Sequence, residues 1–233
     1  RTFSSAASDV YKRQVVESAL NDVEGNWVYN LEISDLQGHG LKGPRVDLSQ
    51  LNNLPGCIDV WEISWKEFCF RLPPLIIEEQ LQGAAPHPEI TVFVPFNEEG
   101  IDLMNAEFDR IHPIEDIGGG PVLFFPLNSK LITAPYLRLP EIERSFFLGL
   151  LRRADPPTQD RIAEQINDNE SLYERILEVG GVRYLPDTLP ENIDFWRHHF
   201  GAQWPELMKL KSRFDPDGIL TGSFGQYLVS SND

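Results

Sequence analysis

The side chains best suited to chemistry are concentrated in residues 184–233 of this 233-residue chain. Tryptophan, phenylalanine, histidine, glycine and glutamine follow one another there at short offsets. The series consists of Tyr184-Leu185-Pro186, Phe195-Trp196-Arg197-His198-His199-Phe200-Gly201, Trp204, Lys211, Phe214-Asp215-Pro216, Ile219-Leu220 and Gly225-Gln226. Aromatic rings pack on flat molecules through their faces, and His and Gln side chains can hydrogen-bond to them. The series therefore predicts a segment shaped around a large, flat ligand.

The remaining histidines and cysteines do not form a catalytic or metal-binding pattern. The five histidines lack the spacing of zinc ligands; they are His39, His87, His112, His198 and His199. The chain contains no Gly-x-Ser-x-Gly elbow, and neither cysteine has a neighbour that would activate it as a nucleophile. His198 and His199 stand beside aromatic residues on a predicted helix, which favours a core or interface position over a direct role. No catalytic residue and no metal ligand is assigned.

Two polar loops resemble ion sites but are better explained as turns. A dinucleotide-binding loop needs a preceding strand and a third, spaced glycine, whereas the strand that adjoins Gly118-Gly119-Gly120 comes after them. A calcium loop needs more oxygen ligands than Asp215 and Asp217 supply before Gly218. Both loops are therefore predicted to be turns.

The tryptophan pairs Trp61/Trp65 and Trp196/Trp204 could form stacking platforms for a ligand. Their helical spacing favours packing in the core instead, because large aromatic side chains at such offsets bury the same helix face.

Composition restricts the class of protein. Hydrophobic residues make up 41% of the chain, which is enough for a proper core, and the formal net charge is −16. Such an acidic chain argues against a nucleic-acid or anionic-membrane partner, because phosphate groups would be repelled. No apolar run approaches the roughly 18 residues of a membrane span. Cys57 and Cys69 fit a reduced protein or a single disulfide equally well.

Residues 1–14 differ from the rest of the chain. They are rich in Ser and Ala, then charged, and show no hydrophobic period. The string from Ser8 to Gln14 is similar to a sequence scar of non-native origin, so these residues are set aside in predicting the fold.

Hydrophobic periodicity and turn residues predict the elements that position the C-terminal series. Strands are predicted at 27–33, 90–95, 122–125 (ended by Pro126), 145–151 and 182–185, with a last strand after Gly218. Helices are predicted at 99–112 and 158–179 and, on both sides of Gly201, at 191–214. Residues 60–72 fit a helix or a strand. The inward positions of the first two helices are predicted to be Ile101, Leu103, Met104, Phe108 and Ile111, then Ile162, Ile166, Leu172, Ile176 and Leu177. This order indicates an α+β fold, an antiparallel sheet with flanking helices.

Several segments together resemble one family, the cytokinin dehydrogenases. The C-terminal series is similar to that family's signature through Tyr184-Leu185-Pro186, Trp196-x-x-His199-Phe200-Gly201-x-x-Trp204 and Phe214-Asp215-Pro216. Further segments match in the same order: Pro86-His87-Pro88, Val92-Phe93-Val94-Pro95, Gly119-Gly120-Pro121-Val122-Leu123, Pro126-Leu127-Asn128 and Phe146-Phe147-Leu148. The resemblance spans residues 15–228.

The resemblance implies an FAD-dependent oxidoreductase of the vanillyl-alcohol-oxidase type. Residues 15–183 would form the substrate-covering (cap) domain, and residues 184–233 would return to the FAD domain. The implied reaction acts on a CH–NH bond and removes the N6 side chain of an adenine-type cytokinin. The N-terminal FAD domain, with its catalytic acid, is expected to be missing from this chain, which would be inactive by itself.

The resemblance also implies individual contacts. Tyr184 stands where the family has a tyrosine that contacts the pyrophosphate of FAD. Either Gln226 or Ser223 stands for the family's flavin-contacting glutamine, because residues 221–226 are about two residues longer than the family pattern.

Two departures bear on the substrate. Asn128 matches the family's substrate-binding segment, but Leu131 replaces the tryptophan that packs on the substrate, and Glu89 replaces an aromatic residue. They keep two alternatives open: another FAD-linked alcohol or amine oxidase, and a non-catalytic acidic binding module.

Overall fold

The computed structural model describes residues 63–70, 85–185 and 192–220. The chain divides into two compact units, Arg1–Ala84 and Ala85–Asp233. That division is not the predicted boundary at residue 183, which stays a prediction. The predicted strands at 27–33 and after Gly218, and the segment 1–14, lie outside the described residues.

The described part of the first unit is one short helix, α1 (Trp65–Phe70). Ser64 and Glu67 cap it reciprocally: the Glu67 amide donates to Ser64 Oγ at 3.2 Å, and the Ser64 amide donates to the Glu67 carboxylate at 2.8 Å. Such a capping box satisfies two amides that a helix start leaves unpaired. The predicted core position of Trp65 is wrong, since this side chain is 63% exposed.

The second unit is built on a four-stranded antiparallel sheet with the strand order β2-β3-β1-β4. Its strands are β1 (Ile90–Pro95), β2 (Val122–Asn128), β3 (Arg144–Leu150) and β4 (Val182–Arg183). In the central register Phe93 pairs with Phe147, which pairs with Phe125. The sheet, together with the helices below, confirms the predicted α+β fold.

β2 is longer than predicted, because Pro126 does not end it. The strand continues to Asn128, and Pro126 pairs with Phe146 of β3. Since β2 is an edge strand, a proline whose nitrogen faces away from β3 removes no hydrogen bond from the sheet.

Two long helices follow strands of the sheet. They are α2 (Glu98–Arg110), capped by the Asn97 side chain, and α3 (Gln159–Glu178), capped by the Thr158 side chain. Two inward predictions are wrong, since Ile101 is 38% exposed and Leu177 is 39% exposed. α3 instead buries the polar side chains Gln165 and Asn169.

The helices α2 and α3 cover one face of the sheet. Both contact β1, and Phe108 of α2 meets the edge of Phe124 with the ring centroids 5.6 Å apart. Val92, which points to this face, is fully buried. Side chains alternate between the two faces of a strand, so the odd-numbered residues of β1 and β2 lie on the face opposite these helices.

The last described elements are α4 (Ile193–Phe200), a 3-10 helix (Gly201–Gln203) and α5 (Trp204–Phe214). They confirm the predicted helical segment on both sides of Gly201, and Asp215 opens the predicted turn. Trp196 is fully buried as predicted. None of the helices among the described residues combines the length and the hydropathy needed to cross a bilayer.

Candidate ligand-binding face

An aromatic face lies on the side of the sheet opposite α2 and α3. We define it by Phe93 of β1, Phe125 of β2, Phe147 of β3 and Tyr184, which follows β4. The Tyr184 amide donates to the Thr91 carbonyl at 2.8 Å and so continues the pairing of β4 with β1. Three of the residues come from three different strands and Tyr184 follows the fourth, so only the folded sheet brings them together.

The four rings are in continuous contact. Phe125 and Phe147 stack with centroids 4.3 Å apart and an interplanar angle of 14°. Phe93 meets Phe147 at 5.6 Å and Tyr184 at 5.5 Å, both edge to face. Phe147 and Tyr184 are 5.8 Å apart. Such distances are those of favourable aromatic pairs, so the rings form one apolar surface.

This face is open at β2 and closed at Phe93, which is 3% exposed. Phe125 is 37% exposed and its neighbour Leu123 is 39% exposed. Gly149 lies between Leu123 and Thr91 in the register. A Cβ atom at Gly149 would lie 3.5 Å from Leu123 Cβ and 3.5 Å from Phe147 Cε1. Gly149 is itself buried, so glycine here leaves room for the side chains of Phe147 and Thr91 that pack over it.

Of the predicted site residues, Tyr184 lies on the aromatic face, whereas Leu131 and Asn128 do not. The Asn128 side chain accepts from the Lys130 amide at 3.1 Å and caps a 3-10 helix (Ser129–Leu131). Leu131 is 78% exposed. Asn128 and Tyr184 lie about 20 Å apart. They are separated by three strand spacings across the sheet and by about five residues along the strands. The roles of these residues stay predictions, as do those of Gln226 and Ser223, which lie outside the described residues.

Sequence reasoning did not single out Phe125, Phe147 or Gly149 as site residues. Phe124-Phe125 and Phe146-Phe147 are adjacent pairs, and alternation sends the two members of each pair to opposite faces. The order of the strands decides that Phe125 and Phe147 meet. Among the described residues, no group of three or more His, Cys, Asp or Glu side chains is arranged to hold a metal ion.

His199 is buried in the α4 region, as predicted, while His198 is exposed. His199 is 5% exposed, and neither ring nitrogen has a hydrogen-bond partner among the residues that the structure describes. Burial, assisted by the positive charges of Arg138, His198 and Arg183, lowers the pKa of His199 to about 4. Its imidazole is therefore neutral at physiological pH and is a packing group, flanked by Phe195 and Phe200.

The buried His199 should make stability depend on pH. In the unfolded chain the His199 imidazole has a pKa of 6.5, whereas in the folded chain its pKa is about 4. Between these pH values only the unfolded chain binds the proton. The stabilisation is thus complete above about pH 6.5 and is lost as the pH falls, by about 2–3 kcal/mol at pH 4.5. Urea unfolding at pH 7 and pH 4.5 should show that His199→Met removes most of this extra loss. His198→Met, at the exposed neighbour, should keep the wild-type pH dependence; equal behaviour of the two variants would contradict the assignment.

The second unit is thus an antiparallel sheet with helices on one face and a partly exposed row of aromatic rings on the other. The family described as "Cytokinin dehydrogenase 1, FAD and cytokinin binding" matches residues 4–228. The chain belongs to this family of FAD- and cytokinin-binding domains.

Individual relatives agree with the family. The chain is 32% identical over 142 residues to an "uncharacterized oxidoreductase ORF5 in fasciation locus" of Rhodococcoides fascians, covering 60% of this chain and 31% of the relative. It is 29% identical over 191 residues to cytokinin dehydrogenase 5 of Oryza sativa subsp. japonica, covering 76% of this chain and 34% of the relative. Cytokinin dehydrogenase 7 of the same plant is 25% identical over 222 residues, which is 93% of this chain and 40% of the relative. The chain thus spans about a third of the length of these relatives.

The family match begins at residue 4, inside the segment 1–14. The non-native origin of this segment stays a prediction.

Proposed function

We propose that this chain is the substrate-covering part of an FAD-dependent oxidoreductase that acts on a CH–NH bond of an adenine-type cytokinin. The aromatic face carries this proposal. Its rings form a continuous apolar surface that is exposed at Phe125, and an aromatic surface of this kind suits a planar group such as a purine or an isoalloxazine ring. The family to which the chain belongs binds both kinds of planar molecule.

The work of the chain in such an enzyme is binding, orientation and exclusion of water. When bound, FAD supplies the redox chemistry, which amino-acid side chains cannot perform. Phe125 and Phe147, which stack on each other, contact the flat ring, and the buried Phe93 supports Phe147 from the side. This contact fixes the orientation of the substrate's side chain. The same apolar cover keeps water from the reacting atoms, and this strengthens every electrostatic interaction beneath it.

The cofactor contacts come from the C-terminal side of the sheet. We assign Tyr184 to the pyrophosphate of FAD, and Gln226 or Ser223 to its flavin ring. Tyr184 is suited to this role because its ring is fixed against Phe93 and Phe147, while its hydroxyl can donate or accept a hydrogen bond. The catalytic acid and most FAD contacts belong to an N-terminal FAD domain outside this chain, so the chain alone is inactive.

The adjacent residues Phe146 and Phe147 allow a matched test of the proposal. In the polypeptide that joins this chain to its FAD domain, Phe147→Leu should lower kcat/KM for isopentenyladenine about 2- to 12-fold, because the substrate loses an aromatic contact. The measurement is steady-state kinetics with an artificial electron acceptor.

Phe146→Leu is the control. Phe146 points to the helix-covered face, where it contacts Phe96 and Phe124, and its exposure class equals that of Phe147. This variant should lose stability but keep the wild-type kcat/KM. Equal kinetic losses in the two variants would show that the aromatic face does not bind the substrate.

Leu131 favours a second candidate, a related FAD-linked oxidase of another amine or alcohol. An aliphatic side chain that is 78% exposed cannot stack on a purine as the family's tryptophan would. Turnover of a different amine or alcohol, without turnover of isopentenyladenine, would favour this candidate.

A further inference from the structure

An ion pair fixes the turn that follows α5. Lys211 of α5 and Asp215 lie one helical turn apart; their side chains are 11% and 7% exposed, and the Lys211 ammonium donates to Asp215 Oδ2. Asp215 also accepts from two amides beyond the turn, Ile219 at 2.8 Å on Oδ1 and Leu220 at 2.9 Å on Oδ2. The Lys211 ammonium donates to the Leu220 carbonyl at 2.6 Å. We call this arrangement the Lys211–Asp215 clamp.

The clamp holds apolar side chains in an exposed position. Ile219 is 75% exposed and Leu220 is 70% exposed, although charged groups bind the backbone of both residues. Phe214, the last residue of α5, is 71% exposed. Because its neighbour Asp215 binds the other two backbones, the three residues lie within about 12 Å of one another. We call Phe214, Ile219 and Leu220 the apolar patch.

The apolar patch differs from the rest of the second unit. Among the described residues of that unit, five large apolar side chains are more than 60% exposed, and three of them form the patch. Single exposed apolar residues are common on proteins and need no explanation. A cluster that charged groups hold in place is already ordered, so a partner does not have to order it on binding. The patch is therefore suited to docking against another apolar surface.

The length of the relatives indicates which surface this is. The chain spans about a third of their length, so most of each relative has no counterpart in it. In the proposed function this further part includes the FAD domain. Because that domain belongs to the same polypeptide, it meets the patch at the high effective concentration of a linked partner. A second copy of the chain has no such advantage.

We propose that the apolar patch docks against an apolar surface of the FAD domain and fixes how the two domains are oriented. The inference rests on the proposed function, in which such a domain belongs to the same polypeptide. Burial of three large apolar side chains favours the contact, and the clamp keeps them in the conformation that docks. The orientation matters because the aromatic face can cover a substrate only when the domains are held in one arrangement.

Hydroxyl-radical footprinting measures the exposure of these side chains directly. The 233-residue chain and the polypeptide that joins it to its FAD domain are labelled in parallel. Phe214 and Leu220 should be oxidised at least about fivefold more slowly in the joined polypeptide, because the centre of an interface is closed to solvent. Ile114, which is 66% exposed and lies outside the patch, should react equally in both. Equal labelling of Phe214 and Leu220 in the two proteins would overturn the docking.

The same labelling distinguishes a second copy from the FAD domain. If Leu220 becomes protected in the 233-residue chain alone as its concentration rises, and sedimentation shows a doubled mass, the patch binds a second copy and the proposal is overturned.

Variants of the clamp test whether it presents the patch. In the joined polypeptide, Asp215→Ala should restore the oxidation of Leu220 toward the rate in the 233-residue chain. Asp217→Ala is the matched control, because Asp217 is an exposed carboxylate in the same turn, and it should keep the protection. Full protection of Leu220 in Asp215→Ala would overturn the role of the clamp.

A substitution in the patch should act only where the FAD domain is present. Leu220→Ser should leave the unfolding temperature of the 233-residue chain unchanged, because the side chain is exposed there, but should lower that of the joined polypeptide by about 2 °C or more. Ile114→Ser should change neither. An equal shift in the two proteins would overturn the docking.

Failure of the proposed function would give a different result. Protection of the patch without turnover of isopentenyladenine would support the docking and reject the proposed substrate. Turnover of isopentenyladenine by a joined polypeptide whose patch stays exposed would overturn the docking alone.

Discussion

Replacing Arg152 by methionine should lower the free energy of unfolding by about 3–5 kcal/mol. Arg152 follows β3, and its side chain is 1% exposed. Its guanidinium donates to Asn169 Oδ1 at 2.7 Å, to the Asp116 carbonyl at 2.7 Å and to the Asp168 carboxylate. Methionine fills much of the same volume but leaves the buried Asn169 Oδ1 without its donor and removes one of the two arginine partners of Asp168. Removing one partner is the costly way to break a buried ion pair.

The effect extends to a wider ion-pair network between α2 and α3. Asp168 is also bound by Arg110, 2.9 Å away, and Glu107 is bound by both Arg110 and Arg175. Burial would raise the pKa of Asp168, but the charges of Arg152 and Arg110 outweigh it and the pKa is lowered. Removing Arg152 takes away the charge that lowers this pKa most.

Urea unfolding of the 233-residue chain measures this loss. Arg197→Met is the control, since Arg197 forms an exposed pair with Asp194 at 3.3 Å, with side chains 53% and 86% exposed. Exposed pairs contribute at most about 1 kcal/mol. Similar unfolding midpoints for the two variants would show that the Arg152 network does not stabilise the fold.

Gly118→Ala should destabilise the protein by about 3 kcal/mol or more, through two separate costs. Gly118 has a φ of +72°, a conformation that costs an L-residue about 1–2 kcal/mol. A Cβ atom there would also lie 2.0 Å from the Arg153 carbonyl oxygen. That carbonyl cannot move freely, because the buried Gln165 side chain donates to it at 3.2 Å, and such overpacking costs about 1–3 kcal/mol more.

The neighbouring Gly119 allows the backbone strain to be measured without the steric clash. Its φ is +76°, but a Cβ atom there would meet only Ile114 Cδ1, at 3.8 Å. Gly119→Ala should therefore cost about 1–2 kcal/mol, the strain of the backbone alone. Thermal unfolding of both variants measures the difference between their losses of stability. Equal losses would mean that the turn accommodates the Cβ atom of Gly118→Ala at no further cost.

Local patterns in the sequence predicted most elements of the second unit. The buried strand Ile90–Pro95, the helices Glu98–Arg110 and Gln159–Glu178, and the turn at Gly118 were predicted within a few residues. Hydrophobic period, capping residues and glycine conformation depend on neighbours in sequence, so they can be recognised without the fold. Ile101 and Leu177 were wrongly predicted to be buried. Both lie at the edge of a buried helix face, where the width of the sheet decides whether a side chain is exposed.

The candidate site was predicted only in part. Tyr184 could be chosen from the sequence because it belongs to the C-terminal series. Phe125 and Phe147 could not, since nothing in either strand shows which member of a phenylalanine pair faces the helices. A shift of one residue in register would exchange the two faces.

The sequence by itself determined the fold class, the main helices and strands and the family, because these depend on local periodicity and on the order of motifs along the chain. Tertiary structure decided the strand order β2-β3-β1-β4, which gathers four rings on one face. It also decided that Arg152 reaches Asp168 and that Asp215 holds Leu220. Such contacts depend on the geometry of the packed elements, which brings charged groups together and limits their contact with water.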